Sequence, residues 1–206
     1  MTSREKRKRL KKIRLGFLAS GRGSNMLAII NDCNVGKLDA EPTVVISNNA
    51  TAGALEYARE AGIPAFHLST QTHSEKLDDV ITDTLKSHAV DWVILAGYMK
   101  QIGPKLLEEF QGRIFNIHPS LLPKHGGKGM FGIHVHEAVL ASGDTETGVT
   151  IHLVDGEYDQ GRILAQERVP VEEGDTPEVV AARVLKVEHK LYSETLQGVI
   201  EGRISL

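Results

Sequence analysis

Apolar positions along the chain switch between two spacings. Ile13–Ala19, Val44–Ser47, Ala65–Leu68, Trp92–Ala96 and Ile114–Ile117 are short, near-continuous apolar runs, the mark of strands buried on both faces. Between them lie segments with helical spacing: Met26, Leu27, Ile29 and Ile30; Ala52–Ala61, closed by Gly62; and Leu77, Val80, Ile81 and Leu85. A short helix is expected after Pro104. This β-α-β-α order predicts an α/β fold, a single domain with a mostly parallel, twisted sheet and helices on both faces. Beyond residue 145 the pattern changes. Val149–Val154 and Ile163–Val171 alternate apolar with polar, which predicts half-exposed strands forming an antiparallel element. A long amphipathic helix from about Thr176 to Gly198, with Pro177 in its first turn, ends the pattern.

Composition narrows the class without changing this picture. A chain of 206 residues with 41% hydrophobic content can bury one full core, and no linker or repeat divides it. The net charge of -3 supplies no general attraction to nucleic acid or to an anionic membrane, and neither partner is expected. No apolar run approaches the length of a bilayer span. The single cysteine, Cys33, excludes an internal disulfide and fits a reducing, cytoplasmic setting. Residues 1–12 stand apart, with Arg4, Lys6, Arg7, Lys8, Arg9, Lys11 and Lys12 crowded together. They read as a disordered, solvated basic tail ahead of a domain spanning 13–206, the other reading being an arm for nucleic acid or membrane.

The first strand runs into Ser20-Gly21-Arg22-Gly23-Ser24-Asn25, which opens directly into a helix. Glycines allow a tight turn that aims helix N-terminal amides at an anion, and Ser24 can both cap the helix and donate to a phosphate oxygen. The loop lacks the glycine spacing of a dinucleotide fingerprint and the Gly-Lys-Ser/Thr of a triphosphate loop. The second strand ends Ser47-Asn48-Asn49, without an acidic residue for a ribose. A monophosphate or sugar phosphate suits the loop better than NAD or ATP, and a turn that binds nothing is the competing reading.

Asn116-Ile117-His118-Pro119-Ser120-Leu121-Leu122-Pro123 lies at the C-terminal end of a buried strand, the edge where open α/β sheets bind ligands. Asn116 and His118 share a face. An amide beside an imidazole can polarise a carbonyl oxygen that becomes an oxyanion, with Pro119 and Pro123 stiffening the exit. An acidic segment follows the next strand, with Asp155, Glu157 and Asp159 inside His152–Gly161. A carboxylate beside His118 would orient its ring, fix its tautomer and raise its pKa. Spacing leaves open whether one of these reaches His118 or the segment is an exposed acidic loop. A metal is not expected: His134-Val135-His136-Glu137 lacks the i, i+4 pattern of a helical zinc motif, and Cys33 reads as a small buried residue.

Taken together, the Ser20–Asn25 loop, Leu95-Ala96-Gly97-Tyr98-Met99, the Asn116–Pro123 run, Asp155–Gly161 and Glu188-His189 resemble the phosphoribosylglycinamide formyltransferases, folate-dependent enzymes of purine synthesis with a Rossmann-like fold. The resemblance runs from about Ile13 to the C-terminus. It implies transfer of a formyl group from 10-formyltetrahydrofolate, a co-substrate, to the amine of glycinamide ribonucleotide, without a metal, by a monomer or homodimer. It assigns catalysis to Asn116, His118 and Asp159, and the substrate phosphate to Gly23, Ser24 and Asn25. Leu185, Lys186, Val187 and Glu188 would reach the ribose or glycine end. Met99, Lys100, Gln101, Ile102, Asn116, Asp155, Gly156, Glu157, Tyr158 and Asp159 would form the folate pocket.

Three positions depart from that family's pattern: Ser74 stands where a basic residue is usual, Leu185 where an amide is, and Ser193 where a proline follows Tyr192. The glycine-rich loop Lys124–Ile133 reads as either a mobile lid or a surface insertion. Two related activities are set aside by the expected domain organisation: a formyltetrahydrofolate hydrolase with a regulatory domain ahead of this core, and a methionyl-tRNA formyltransferase with a nucleic-acid-binding domain after it. A non-catalytic sugar-phosphate binding module is the reading from another class, and it would need only the phosphate loop.

Overall fold

The computed structural model describes residues 12–206, so the expectation for the basic tail lies outside the described residues apart from Lys12. Its strands are β1 (Ile13–Ala19), β2 (Ala40–Ser47), β3 (Ala65–His67), β4 (Trp92–Leu95), β5 (Ile114–His118), β6 (Glu146–Leu153) and β7 (Ile163–Pro170). They form one sheet in the order β3-β2-β1-β4-β5-β6-β7. Pairing is parallel from β3 to β5 and antiparallel for β5–β6 and β6–β7.

The helices are α1 (Ser24–Asn34), α2 (Gly53–Glu60), α3 (Thr70–His73), α4 (Leu77–Ser87), α5 (Pro104–Glu109), α6 (Ile133–Ala141) and α7 (Pro177–Ile200), with a single 3₁₀ turn at Ser74–Lys76. Successive side chains of each strand go to opposite faces of the sheet. Phe17, Val45, Ile94 and Phe115 pack with Met26, Ile29, Leu55 and Leu196 of α1, α2 and α7. Leu18, Val44, Ile46 and Val93 pack with Ile81, Leu85 and Leu106 of α4 and α5. Alpha-seven starts at Pro177 behind the Thr176 cap, whose hydroxyl accepts from the Val179 amide. Its fully buried Tyr192 donates towards the carbonyls of Leu95 and Phe115, at 3.2 and 2.9 Å, tying the helix to β4 and β5.

Besides α6, which has no counterpart among the expected helices, three elements differ from the sequence expectations, each for a physical reason. Beta-two begins at Ala40 rather than Val44, because backbone pairing with Ile13, Arg14 and Leu15 carries Glu41 and Pro42 into the ladder without any apolar pattern. The four-residue α3 has no apolar period to betray it; reciprocal bonds between Ser69 and Thr72 form its capping box. Beta-six is buried along Thr147–His152 rather than half-exposed. Val149 and Ile151 face α7, whereas Gly148 and Thr150 are covered by the turn after β5, where a β-carbon at 148 would meet Leu121. Beta-seven, at the sheet edge, is the half-exposed strand.

Candidate active site

The sheet reverses its order at β1, which is flanked by β2 on one side and β4 on the other, so the C-terminal strand ends open a crevice there. Asn116 and His118 reach this edge on β5, and the antiparallel register sets Asn116 opposite His152 of β6. A carbonyl only accepts, so the 2.8 Å contact from His152 Nδ1 to the Leu153 carbonyl places a proton on Nδ1. His152 Nε2 then accepts from the Asn116 amide at 3.0 Å. The second hydrogen of that amide nitrogen remains available to a substrate.

The same logic fixes His118. Its Nε2–H donates to the carbonyl of His125 at 2.8 Å, and Nδ1 stands 3.4 Å from Asp159 Oδ2. The tautomer is therefore set by the backbone at residue 125, not by the carboxylate as the sequence suggested. Asp159 is left-handed (φ 57°), accepts from the Gly127 amide at 2.9 Å, and lies 3.5 Å from His152 Nε2 through its other oxygen. Of the acidic segment only Asp159 enters the site; Asp155 and Glu157 are exposed loop residues.

Burial lowers the His118 pKa, and it outweighs the upward pull of Asp159 and of the bond to His125. The carboxylate acts in the expected upward direction, but burial leaves the net value lowered. For Asp159, burial works upwards, but the neighbouring His152 and His118 rings and the Gly127 amide together hold the carboxyl below its ordinary range. His118 is thus a mostly neutral ring facing an ionised carboxylate, and a proton added at Nδ1 would bridge them.

The exit from β5 is pinned by one hydroxyl. Thr150 Oγ1, wholly buried, donates to the Ser120 carbonyl at 2.6 Å and accepts from the Leu122 amide at 3.1 Å. Gln166 of β7 donates to the same hydroxyl and to the Leu122 carbonyl. Polar cross-links of this kind hold the Asn116 and His118 backbone without filling the cavity in front of it.

In the glycine-rich loop, Gly23 rather than Ser24 is the cap: it is left-handed (φ 71°), and its carbonyl takes the first helical bond, from Leu27. A β-carbon at 23 would come within 2.8 Å of Ala54 Cβ, so the position needs glycine for space as well as conformation. Ser24 opens α1, where backbone amides have no acceptor within the helix. Asn25 donates to Glu188 Oε2 at 2.8 Å, and its own Oδ1 is buried without a partner. Burial raises the Glu188 pKa, against the bond from Asn25.

A cavity of about 700 Å³ joins these groups, running from Asn25 and Glu188 to Asn116, His118 and Asp159. Met99, Tyr158 and Leu185 also line it, as does the whole stretch from Gly127 to Ile133, so the loop is a wall of the site rather than a surface insertion. A second cavity of about 870 Å³ shares Tyr98 and Met99 with the first. Lys100, Gln101, Ile102 and Ser74 line this neighbour. Asp155, Gly156 and Glu157 line neither, and Lys186 faces a separate groove between α1 and α7. His125, Gly127, His136 and His152 were not singled out from the sequence as site residues. His136, on α6, is buried with an unpartnered Nδ1 and lines the first cavity, while its neighbour His134 pairs outside with Glu137. No group of three or more His, Cys, Asp or Glu side chains able to hold a metal occurs among the described residues.

Known proteins match this arrangement along most of its length. The chloroplastic phosphoribosylglycinamide formyltransferase of Arabidopsis thaliana is 46% identical over 194 residues, covering 93% of this chain and 66% of that protein. The chain therefore spans about two thirds of the plant relative's length. The phosphoribosylglycinamide formyltransferase of Haemophilus influenzae is 40% identical over 195 residues, covering 94% of this chain and 90% of that one. Among solved structures, glycinamide ribonucleotide transformylase 1 from Symbiobacterium toebii shares the fold with a TM-score of 0.88 at 38% identity, over 95% of this chain and 91% of that one. The formyl transferase family model matches residues 13–196, a span that contains every group around the cavity, and the chain belongs to that family.

Proposed function

We propose that this chain transfers the formyl group of 10-formyltetrahydrofolate to the amine of glycinamide ribonucleotide, a step of purine synthesis. The observation that carries this reading is the single cavity with Asn25 of the glycine-rich loop and Glu188 at one end and Asn116, His118 and Asp159 at the other. Gly23, Ser24 and Asn25 hold the substrate phosphate, and Glu188 meets the ribose or glycine end. Leu185 supplies an apolar wall there. The folate takes the side where Tyr98 and Met99 join the two cavities, with Lys100, Gln101 and Ile102 along its far end.

In the reaction the neutral glycinamide nitrogen attacks the formyl carbon, and the carbonyl electrons move onto oxygen. The free amide hydrogen of Asn116 donates to that oxyanion. The new negative charge favours the doubly protonated form of His118, whose Nδ1–H adds a second donor beside Asp159. The attacking nitrogen loses a proton, the bond from the formyl carbon to the folate nitrogen breaks, and that nitrogen gains a proton. A water held near Asp159 is the simplest relay between them. No helix among the described residues is long and apolar enough to cross a membrane. A cytoplasmic monomer or homodimer accords with this reading.

The test is a paired assay. Incubation with 10-formyltetrahydrofolate and glycinamide ribonucleotide should give formylated ribonucleotide and tetrahydrofolate in equal amounts. Release of free formate at the same rate with or without the amine would assign hydrolysis instead. Phosphate-dependent ribonucleotide binding with neither reaction would leave only a binding module.

A further inference from the structure

Nothing in the transfer reaction explains why residue 125 is a histidine. Its backbone is left-handed, at φ 54°, a conformation that residues with a β-carbon seldom adopt. Its carbonyl is nonetheless the acceptor that fixes the proton on His118 Nε2. The ring provides the compensation. His125 Nε2 lies 2.7 Å from Asp144 Oδ2, with only 12% and 15% of the two side chains exposed. Asp144 follows α6, and its other carboxylate oxygen is bound by Lys124. The Lys124 carbonyl in turn accepts from Ser120 at 2.6 Å. Residues 124 and 125 are therefore clamped from the sheet side and from the end of α6 together.

We infer that His125 and Asp144 are positioning residues for His118. Their ring–carboxylate contact holds residue 125 in its left-handed state, which keeps its carbonyl on His118 Nε2 and reserves Nδ1 for Asp159 and the reacting oxygen. Neither side chain touches the substrate cavity. They line a separate small cavity of about 270 Å³ on the other side of the turn, with Lys124 and Glu146 the remaining charged groups there. On the cavity side, His118 is faced by Asp159, His152 and His136. Removal of the clamp would let the turn relax and the ring of His118 lose its fixed tautomer. The inference rests on formyl transfer as the reaction, and its test separates the two.

The experiment uses the whole chain and the variants His125→Ala, His125→Asn, Asp144→Asn and His125→Ala/Asp144→Asn. Steady-state transfer is measured across pH, and the nitrogen NMR signals of His118 are recorded in each free protein. His125→Ala and Asp144→Asn should each lower kcat about tenfold, as a displaced catalytic group does, with both KM values within twofold. The double variant should be no slower than the slower single one. His118 should change from one Nε2-protonated tautomer to a mixture. His125→Asn should recover part of the loss, because asparagine tolerates the left-handed state that the Asp144 contact otherwise holds. A His125→Ala protein that is folded, turns over normally and keeps the His118 tautomer would overturn the inference. So would a loss confined to KM with His118 unaltered. If Asp144→Asn does not fold, the two His125 variants decide. If the unaltered chain transfers no formyl group, the proposed function fails, and the NMR measurement alone judges the clamp.

Discussion

Asn116 and His152 face each other across the junction of β5 and β6, and the amide of one donates to the ring of the other at 3.0 Å. The contact leaves Asn116 a single orientation, with one hydrogen spent on His152 and one free. His152→Ala should therefore lower kcat by about one to two orders of magnitude through misplacement of the amide, with smaller changes in KM. Because His152 is buried, its loss should also destabilise the fold by about 1–3 kcal/mol. Kinetics and urea denaturation of the same variant check both parts; normal kcat would show that Asn116 needs no such partner.

Replacement of His118 tests the oxyanion directly. Loss of one oxyanion donor raises a barrier by roughly 2.7–4 kcal/mol, so His118→Ala should lose about two to three orders of magnitude in turnover. Binding of both substrates, measured by calorimetry, should persist. Near-normal turnover would remove His118 from the mechanism.

Glu188 joins the anion loop to α7 through Asn25. Leaving a buried polar partner such as Asn25 unpaired costs roughly 1–3 kcal/mol, so Glu188→Ala should raise KM for the ribonucleotide about tenfold while KM for the folate stays put. The reverse pattern, a folate defect with normal ribonucleotide binding, would place the two substrates the other way round.

Acid should destabilise the protein in two stages. Burial lowers the pKa of both His118 and His136, so the unfolded chain takes up their protons first, near the ordinary 6.5. Stability falls as pH drops below that value and levels off once the folded histidines are protonated. Asp159 has a depressed pKa, so its contribution is complete above its ordinary 3.8 and disappears as pH falls through the lowered value. Urea midpoints between pH 7.5 and 4 should show the first stage, and His118→Gln should weaken it. A midpoint unchanged from pH 7.5 to 5 would contradict the burial of neutral histidines.

Tyr192 provides a control away from the chemistry. Tyr192→Phe leaves two buried carbonyls without their phenol donor and should lower stability by about 1–3 kcal/mol. Turnover at moderate temperature should be nearly unchanged, a combination read from denaturation and kinetics on one preparation.

The parallel half of the sheet was legible because strands buried on both faces appear as continuous apolar runs, from Ile13–Ala19 to Ile114–His118. Beta-six reads as half-exposed in sequence because threonines, a glycine and a histidine look polar, whereas the turn after β5 covers them. The site divides the same way. Asn116 and His118 share a strand, so their common face could be read from spacing two apart. His152 enters through a cross-strand register, and His125 through its backbone carbonyl; neither relation is written in local sequence. Asp159 was drawn from three nearby acids by resemblance, and only the fold separates it from Asp155 and Glu157.

The close approach of Gly23 to Ala54 links two positions that no ligand would touch together. Any residue larger than alanine at 54 would press on the loop proposed to offer its amides to the phosphate. The substitutions that helix α2 can accept at this point are thus limited by the backbone of the loop one element away, and drift at 54 would have to wait for a matching backbone change at 23.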